Sequence, residues 1–129
     1  MKTIMPKSIH PPFGNYSHGV EMPAGKRLLC TSGQLAITPE GDVPEGIEAQ
    51  ADLIFANLDE ILKSAGMGRG DVMRVNAFVT DRAHFPGYMA ARDRWLADAR
   101  TLPASTLVIV SGFTRPEFLV EIEVTAAAV

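Results

Sequence analysis

A long amphipathic stripe between Ile47 and Ala65 constrains the fold of this chain more than any other feature of its sequence. Apolar residues recur there at alternating intervals of four and three, and Gly66 follows as a natural helix end. The stripe consists of Ile47, Ala51, Ile54, Leu58, Ile61 and Ala65. A helix with one apolar face must bury that face against another layer, so the rest of the chain has to supply one.

Several segments have the patterns of strands. Asp71–Thr80 alternates in polarity, as a half-buried strand does. Its dry face would carry Met73, Val75, Ala77 and Val79. Its mixed face would carry Val72, Arg74, Asn76 and Phe78. Two β-branched runs, Ser105–Val110 and Phe118–Ala128, are separated by a loop that could join antiparallel strands.

The first third of the chain is richer in turn residues. Met1–Asn15 contains several prolines, which predicts an arm or a loop. Tyr16–Met22 and Arg27–Ser32 flank a Pro/Gly turn, and this pattern predicts a β-hairpin. A short third strand is expected through Leu35–Ile37.

A second helix is predicted for Phe85–Ala99, with Arg92 on its apolar stripe. The element order β-β-(β)-α-β-α-β-β describes an α+β fold in which two helices pack on one mixed sheet. The 129 residues suffice for one core, so we expect a single domain over residues 1–129. A hydrophobic content of 47% with 21% charged residues is typical of a globular protein.

Charge and composition disfavour several classes of partner. The chain carries 12 basic against 15 acidic residues, and its net charge of −3 disfavours nucleic acid. The longest stretch without a charged residue or histidine is Thr101–Thr114, shorter than the ~18 apolar residues of a membrane span. No secretory signal is visible at the N-terminus. We therefore expect a cytoplasmic protein with no membrane contact.

Cofactor and metal motifs are absent from the sequence. There is no G-x-G-x-x-G, P-loop, C-x-x-C or H-E-x-x-H, and His10, His18 and His84 lack ligand spacing. We expect neither a metal nor a cofactor. The single cysteine, Cys30, excludes an intrachain disulfide and is expected to behave as a small buried hydrophobe.

The most informative acid is Glu121. Glu121 and Glu123 fall on one face of a predicted strand, roughly 6.5 Å apart, and paired carboxylates suit acid–base chemistry. The alternative is a solvated face of an edge strand. Ser32 and Gly33 end another strand, where they could offer a hydroxyl and a close backbone approach to a ligand, or simply form a turn.

The element order and a series of short motifs together resemble one family. The motifs are Gly14-Asn15-Tyr16-Ser17-His18-Gly19-Val20, Thr31-Ser32-Gly33-Gln34, Gln50-Ala51, Asn57-Leu58, Ile61-Leu62, Ala65-Gly66, Val79-Thr80-Asp81, Phe85, Pro103-Ala104 and Val120-Glu121-Ile122-Glu123. With this spacing, the chain resembles the Rid/YjgF family of reactive-intermediate deaminases from about Pro12 to Ala127.

The resemblance implies a chorismate-mutase-like fold, in which three copies form a homotrimer with a central barrel and bind small molecules in clefts between subunits. Archetypal members hydrolyse imines and enamines without metal or cofactor. Three family site residues are retained. By the resemblance, Tyr16 would line the pocket, Ser32 would form a hydrogen bond with the ligand, and Glu121 would hold or protonate the water.

The chain departs from the family at the substrate clamp. The family has an arginine after Pro-Ala that binds the substrate carboxylate, whereas this chain has Ser105, and Leu107 replaces the usual cysteine. A family asparagine aligns best with Met89. Losing a charged hydrogen bond of about 1.5–3 kcal/mol would weaken a carboxylate ligand roughly 10- to 150-fold. Either another cation binds the carboxylate, or the ligand is neutral. Arg115 is the nearest candidate cation by sequence, and the alternative is that it is a solvated loop charge.

Three classes of function therefore stay open. The first is a hydrolase of a small reactive imine, enamine or related metabolite other than the usual 2-imino acid. The second is a non-catalytic trimeric protein that binds or senses a small molecule. A chaperone-like or ribonuclease role is the third, and the acidic balance argues against RNA.

Overall fold

The computed structural model describes all residues from 1 to 129, and none of its helices is long and apolar enough to cross a membrane. Helix α1 spans Ile47–Ser64 and helix α2 spans Phe85–Trp95. The strands are β1 Lys2–Ile4, β2 Gly19–Glu21, β3 Arg27–Cys30, β4 Gln34–Leu35, β5 Val72–Val79, β6 Ala104–Ile109 and β7 Val120–Ala128.

Five strands form one mixed sheet around β7. The order is β3-β7-β5-β6, and β4 also pairs with β7 beyond the end of β3. Strand β5 is parallel to β6 and antiparallel to β7. Both helices pack on one face of this sheet, so the predicted α+β fold with two helices on a mixed sheet is confirmed.

Alternation along β5 and β7 separates a dry face from an open face. The dry face buries side chains against the helices, among them Val75, Ala77, Val79, Ile122 and Val124. The open face carries polar side chains together with exposed Leu28 and Val108. The prediction placed Val72 on the mixed face, and this was wrong. A bulge between Val72 and Arg74 shifts the register by one residue, and Val72 is buried.

The predicted N-terminal hairpin is also wrong. Strand β2 pairs with β1, which lies inside the segment expected to be an arm, and β3 pairs with the end of β7. Gly25, with φ of 83°, does turn the chain between β2 and β3. The turn fixes a reversal of chain direction but does not fix which strand β3 pairs with. Strand β3 pairs over four residues with the nine-residue β7, whereas β2 pairs over three residues with β1.

Strands β6 and β7 are not neighbours, because β5 lies between them. Helix α2 carries the chain from the end of β5 back to the start of β6, and such a crossover produces a parallel pair. Helix α2 is shorter than predicted and ends at Trp95 rather than Ala99. Strand β6 lies at the edge of the sheet.

Gln50 is a buried amide that holds three segments together. Its side chain donates to the carbonyls of Pro44 at 3.0 Å and Glu117 at 2.8 Å, and accepts from the backbone N–H of Leu119 at 2.9 Å. These bonds join the start of α1 to the loop before β7. A fully satisfied buried amide of this kind fixes a unique loop path.

Replacing Gln50 with leucine should lower the free energy of unfolding by about 3 kcal/mol, because two carbonyls and one N–H lose their partners. Urea titration at fixed protein concentration measures the loss. The other glutamine, Gln34, is half-buried and bonds only the Ser32 carbonyl. Gln34→Leu is therefore the matched control, with an expected change below about 0.5 kcal/mol. Equal losses in the two variants would contradict this role for Gln50.

Candidate functional site

A cleft of about 350 Å³ lies between α2 and the edge strand β6. Its lining is Phe13, Gly14, Tyr16, Phe85, Met89, Arg92, Ser105 and Leu107. Most of these side chains are apolar, and only a few polar groups enter the cleft. This combination is typical of small-molecule sites.

The loop that contains Tyr16 is fastened to the start of β6. The Ser17 N–H donates to the Pro103 carbonyl at 2.9 Å, and the Ser17 hydroxyl donates to the Leu102 carbonyl at 2.5 Å. The Tyr16 hydroxyl accepts from the backbone N–H of Phe13 at 3.1 Å. These bonds position the half-buried Tyr16 ring as one wall of the cleft, beside Ser105.

Strand register points Ser105 and Leu107 to the helix side of the sheet. They stand opposite Val75 and Ala77, which are buried under the helices. The Ser105 hydroxyl makes no hydrogen bond within the chain, and Met89 of α2 lines the same cleft. The strand position that holds an arginine in the resembling family therefore offers only a small neutral side chain.

Arg92 is the functional candidate that the sequence analysis did not single out. It lies in α2 and lines the cleft, although only 4% of its side chain is exposed. Its guanidinium carbon lies 5.7 Å from the centre of the Tyr88 ring. Burial raises the pKa of Tyr88 to about 12, and the positive charge of Arg92 opposes that rise. The available signal was the position of Arg92 on an otherwise apolar helical stripe.

Glu121 lies on the opposite face of the sheet from this cleft. In β7 it pairs with Leu35 on one side and Phe78 on the other, and Phe78 stands next to exposed Val108. Its half-buried carboxylate forms no ion pair and no hydrogen bond. Glu123, which shares this face, accepts a hydrogen bond from Asn76 at 3.2 Å. The two predicted acids thus share a face but differ in their partners.

The backbone of Gly33 lies close to the Glu121 side chain. A Cβ atom built on Gly33 would collide with the Glu121 carboxylate and lie 2.7 Å from its Cδ atom. A side chain at residue 33 would have to displace this carboxylate from its position. Ser32 precedes Gly33 and is exposed. The backbone of Gly33 thus approaches the candidate acid closely, and its approach to a ligand stays a prediction.

Arg115 does not line the cleft of Ser105. It lies in the loop between β6 and β7, half exposed, 3.7 Å from the Glu117 carboxylate and over the Phe118 ring. Cys30 is exposed rather than buried as expected, because its strand position places it opposite Thr125 on the open face. No three potential metal-binding side chains lie together in the chain.

Six of the eight predicted site residues thus fall into two groups, while Ser32 is exposed beside Gly33 and Arg115 lies apart from both. Tyr16, Met89, Ser105 and Leu107 share the cleft, whereas Gly33 and Glu121 lie at the open face. A single chain does not bring the two groups together. A site that uses both groups requires a second copy of the chain.

Comparison with known proteins places the chain in one family. The family model described as endoribonuclease L-PSP matches residues 7–128. A RutC family protein of Aquifex aeolicus is 32% identical over 130 residues, covering 100% of this chain and 99% of that protein. The 2-iminobutanoate/2-iminopropanoate deaminase of Escherichia coli K12 is 31% identical, covering 99% and 97%.

A solved structure of similar shape is that of YyfB from Yersinia pestis, described as a protein of unknown function of the conserved Rid family. It has a TM-score of 0.88 and 32% identity, and the match covers 98% of each chain. The present chain belongs to the Rid/YjgF family. The resemblance identified from its sequence is confirmed.

The contact between Gly33 and Glu121 can be tested as a double-mutant cycle. Gly33→Ala should lower the free energy of unfolding by about 1–3 kcal/mol, because the new methyl group displaces the carboxylate. In a Glu121→Ala background the same change should cost almost nothing. Gly70→Ala is the control, since its Cβ would have no neighbour within 4 Å. Additive losses would show that Gly33 and Glu121 do not touch.

Proposed function

We propose that this protein is a cofactor-independent hydrolase of small reactive imines or enamines, and that the usual small 2-imino acids are poor substrates. The observation that carries the proposal is the Glu121 carboxylate, which is half-buried over Gly33 with no ionic partner in the chain. A carboxylate with free acceptor capacity can hold water or transfer a proton. The family relative named as an imine deaminase supports the same chemistry.

The reaction needs one water and no redox step. The water oxygen adds to the imine carbon and one water proton passes to the nitrogen, which gives a carbinolamine. The proton of the carbinolamine hydroxyl then passes to the nitrogen as the carbon–nitrogen bond breaks. A carbonyl compound and ammonia are released. Glu121 would accept the proton from the water and deliver it to the leaving amine. An enamine would first be protonated on carbon to give the imine.

We propose a homotrimer in which the cleft of one subunit faces the partner subunit's Glu121. The open face supports this assembly, because Leu28 is 56% exposed and Val108 is 40% exposed beside half-buried Phe78. Exposed apolar side chains within a sheet face are typical of an interface. The exposed thiol of Cys30, with no disulfide, suits a reducing compartment, and we place the protein in the cytoplasm.

The assembly is tested by sedimentation equilibrium at micromolar concentration. We expect a mass about three times that of the 13.9 kDa chain, as closed threefold symmetry requires. Leu28→Lys should shift the equilibrium toward the monomer, while the exposed Ile9, which lies outside the sheet and outside the cleft, serves as a control in Ile9→Lys. A wild-type monomer would overturn the shared site.

Substrate choice is expected to follow from Ser105. A serine cannot make the bidentate charged contact that a guanidinium makes with a carboxylate. Ser105→Arg should therefore raise kcat/KM for 2-iminopropanoate by roughly 10- to 150-fold. The rate of ammonia release measures this change in kcat/KM. Ser105→Lys is the control, because it adds a positive charge without a planar guanidinium. A wild-type rate equal to that of Ser105→Arg would contradict the prediction.

The role of Glu121 is tested by Glu121→Gln, which keeps the size of the side chain and removes its proton chemistry. Turnover of any imine substrate should fall about 10²- to 10⁴-fold while the trimer stays intact. Glu123→Gln, on the same face, is the matched control with little expected effect. Unchanged turnover in Glu121→Gln trimers would favour the alternative function.

That alternative is a trimeric protein that binds a small molecule without turning it over. Two observations favour it, since Ser105 and Met89 stand where the resembling family has polar anchors for its substrate. It predicts ligand binding in the cleft with no ammonia released from any imine, charged or neutral. Ammonia release that depends on Glu121 would exclude it.

A further inference from the structure

We propose that Arg92 binds an anionic group of the substrate in the cleft, so that α2 supplies the cation missing from β6. The inference rests on the proposed function and narrows its substrate class to imines or enamines that carry a carboxylate. Arg92 would be a substrate-binding residue on the helical wall of the cleft.

The first support is incomplete pairing of a buried charge. An arginine side chain that is only 4% exposed normally has its donors satisfied by carboxylates or carbonyls. Asp93 is the one carboxylate bonded to Arg92, through a single oxygen at 3.3 Å from Nε and 3.2 Å from Nη2. These distances lie at the long end of the hydrogen-bond range, and Asp93 itself is 38% exposed.

The second support is a donor atom of Arg92 that has no partner in the chain. The Nη1 atom of Arg92 donates to no group in the chain. The buried side-chain atoms without a partner are the Nε2 of His18 and the hydroxyl of Tyr88, and Nη1 is not among them. Nη1 is therefore accessible to solvent, and the cleft is the space that Arg92 lines.

The surroundings of Arg92 hold its guanidinium in place for a ligand. The Tyr88 ring lies beneath it, and a Cβ built on Gly14 would lie 3.4 Å from Nη2. A larger residue at position 14 would crowd this approach. The neighbouring walls are Met89 and Leu107, and an apolar setting strengthens a charged hydrogen bond that forms inside it.

The other arginines of the helical layer are already engaged outside the cleft. Arg94 pairs with Glu48 at 2.6 Å and Asp52 at 2.9 Å, and Arg69 pairs with Asp59 at 2.7 Å. Arg92 differs from both by its deeper burial and weaker pairing. It is the cation that the cleft offers to an anion.

An arginine on α2 is not equivalent to one at residue 105. Its guanidinium belongs to the wall opposite β6, so a carboxylate bound there carries the attached imine carbon to a different position in the cleft. The family's usual 2-imino acid, whose carboxylate is joined directly to the imine carbon, would then be poorly aligned. A cleft that retains a cation can therefore still disfavour the usual 2-imino acids.

The inference is tested by binding rather than by turnover. Calorimetric titration compares 2-oxobutanoate, a stable keto acid, with its neutral amide, 2-oxobutanamide, in wild type and in Arg92→Gln. We expect wild type to prefer the acid, and Arg92→Gln to bind the acid roughly 10- to 150-fold more weakly with affinity for the amide unchanged. Arg92→Lys should keep part of the preference for the acid.

Two further variants separate ligand binding from folding. Arg94→Gln removes the same charge from the surface of the same helix and should leave acid binding unchanged. The double variant Arg92→Gln/Ser105→Arg should regain acid binding, which shows that the cleft survives loss of Arg92. If the double variant unfolds cooperatively but does not regain acid binding, Arg92 is needed for the shape of the cleft. That result would contradict the proposal.

Two results would overturn the role of Arg92: equal wild-type affinity for the acid and the amide, or unchanged acid binding in Arg92→Gln. Ammonia release from imines, measured in parallel, would then still decide the hydrolase proposal. Acid binding that depends on Arg92, with no ammonia released from any imine, would instead retain the anion site and exclude the hydrolase.

Discussion

Strand β7 is the element on which the rest of the structure depends. It pairs with β3, β4 and β5, and its residues alternate between the helical core and the open face. Because side chains on a strand have a period of two, burying Ile122 commits Glu121 and Glu123 to the other side. A slip of one residue would expose the core and bury both carboxylates, so folding and site placement are set by the same register.

This register also divides the functional residues between two faces. The cleft occupies the helix side at the sheet edge, beside β6, and the candidate acid occupies the open side with Gly33. Each half is pre-organised by its own local contacts, the cleft by the bonds of Ser17 and the acid by the close approach of Gly33. Neither half alone holds both groups of the proposed hydrolytic site, so the proposed assembly would have a chemical role as well as a structural one.

Patterns within one element were sufficient to predict much of the fold. The stripe of α1 and the alternation of β5 and β7 depend on burial of one face, and the structure has these elements within two residues of their predicted ends. Strand partners were not predictable in the same way. The β2–β3 turn reverses the chain, but β3 pairs with residues almost a hundred positions away, a choice that depends on tertiary packing.

The candidate site was also only partly predictable from the sequence. Tyr16, Ser105, Leu107 and Met89 were predicted from family motifs and do share a cleft. Arg92 was missed because a charged residue on an apolar stripe carries no motif, and Arg115 was favoured because it is near in sequence. Proximity in the chain did not translate into proximity in the cleft, since the loop of Arg115 packs toward Glu117 and Phe118.

Complementation between two inactive variants tests the divided site most directly. Glu121→Gln lacks the proposed acid and keeps the cleft, whereas Ser105→Trp fills the cleft and keeps the acid. Equal amounts, unfolded together and refolded, should recover about a quarter of the wild-type ammonia release, because in a cyclic trimer about one interface in four then joins two intact halves. Inactive mixtures, with mixed trimers verified by native mass spectrometry, would contradict a site built from two subunits.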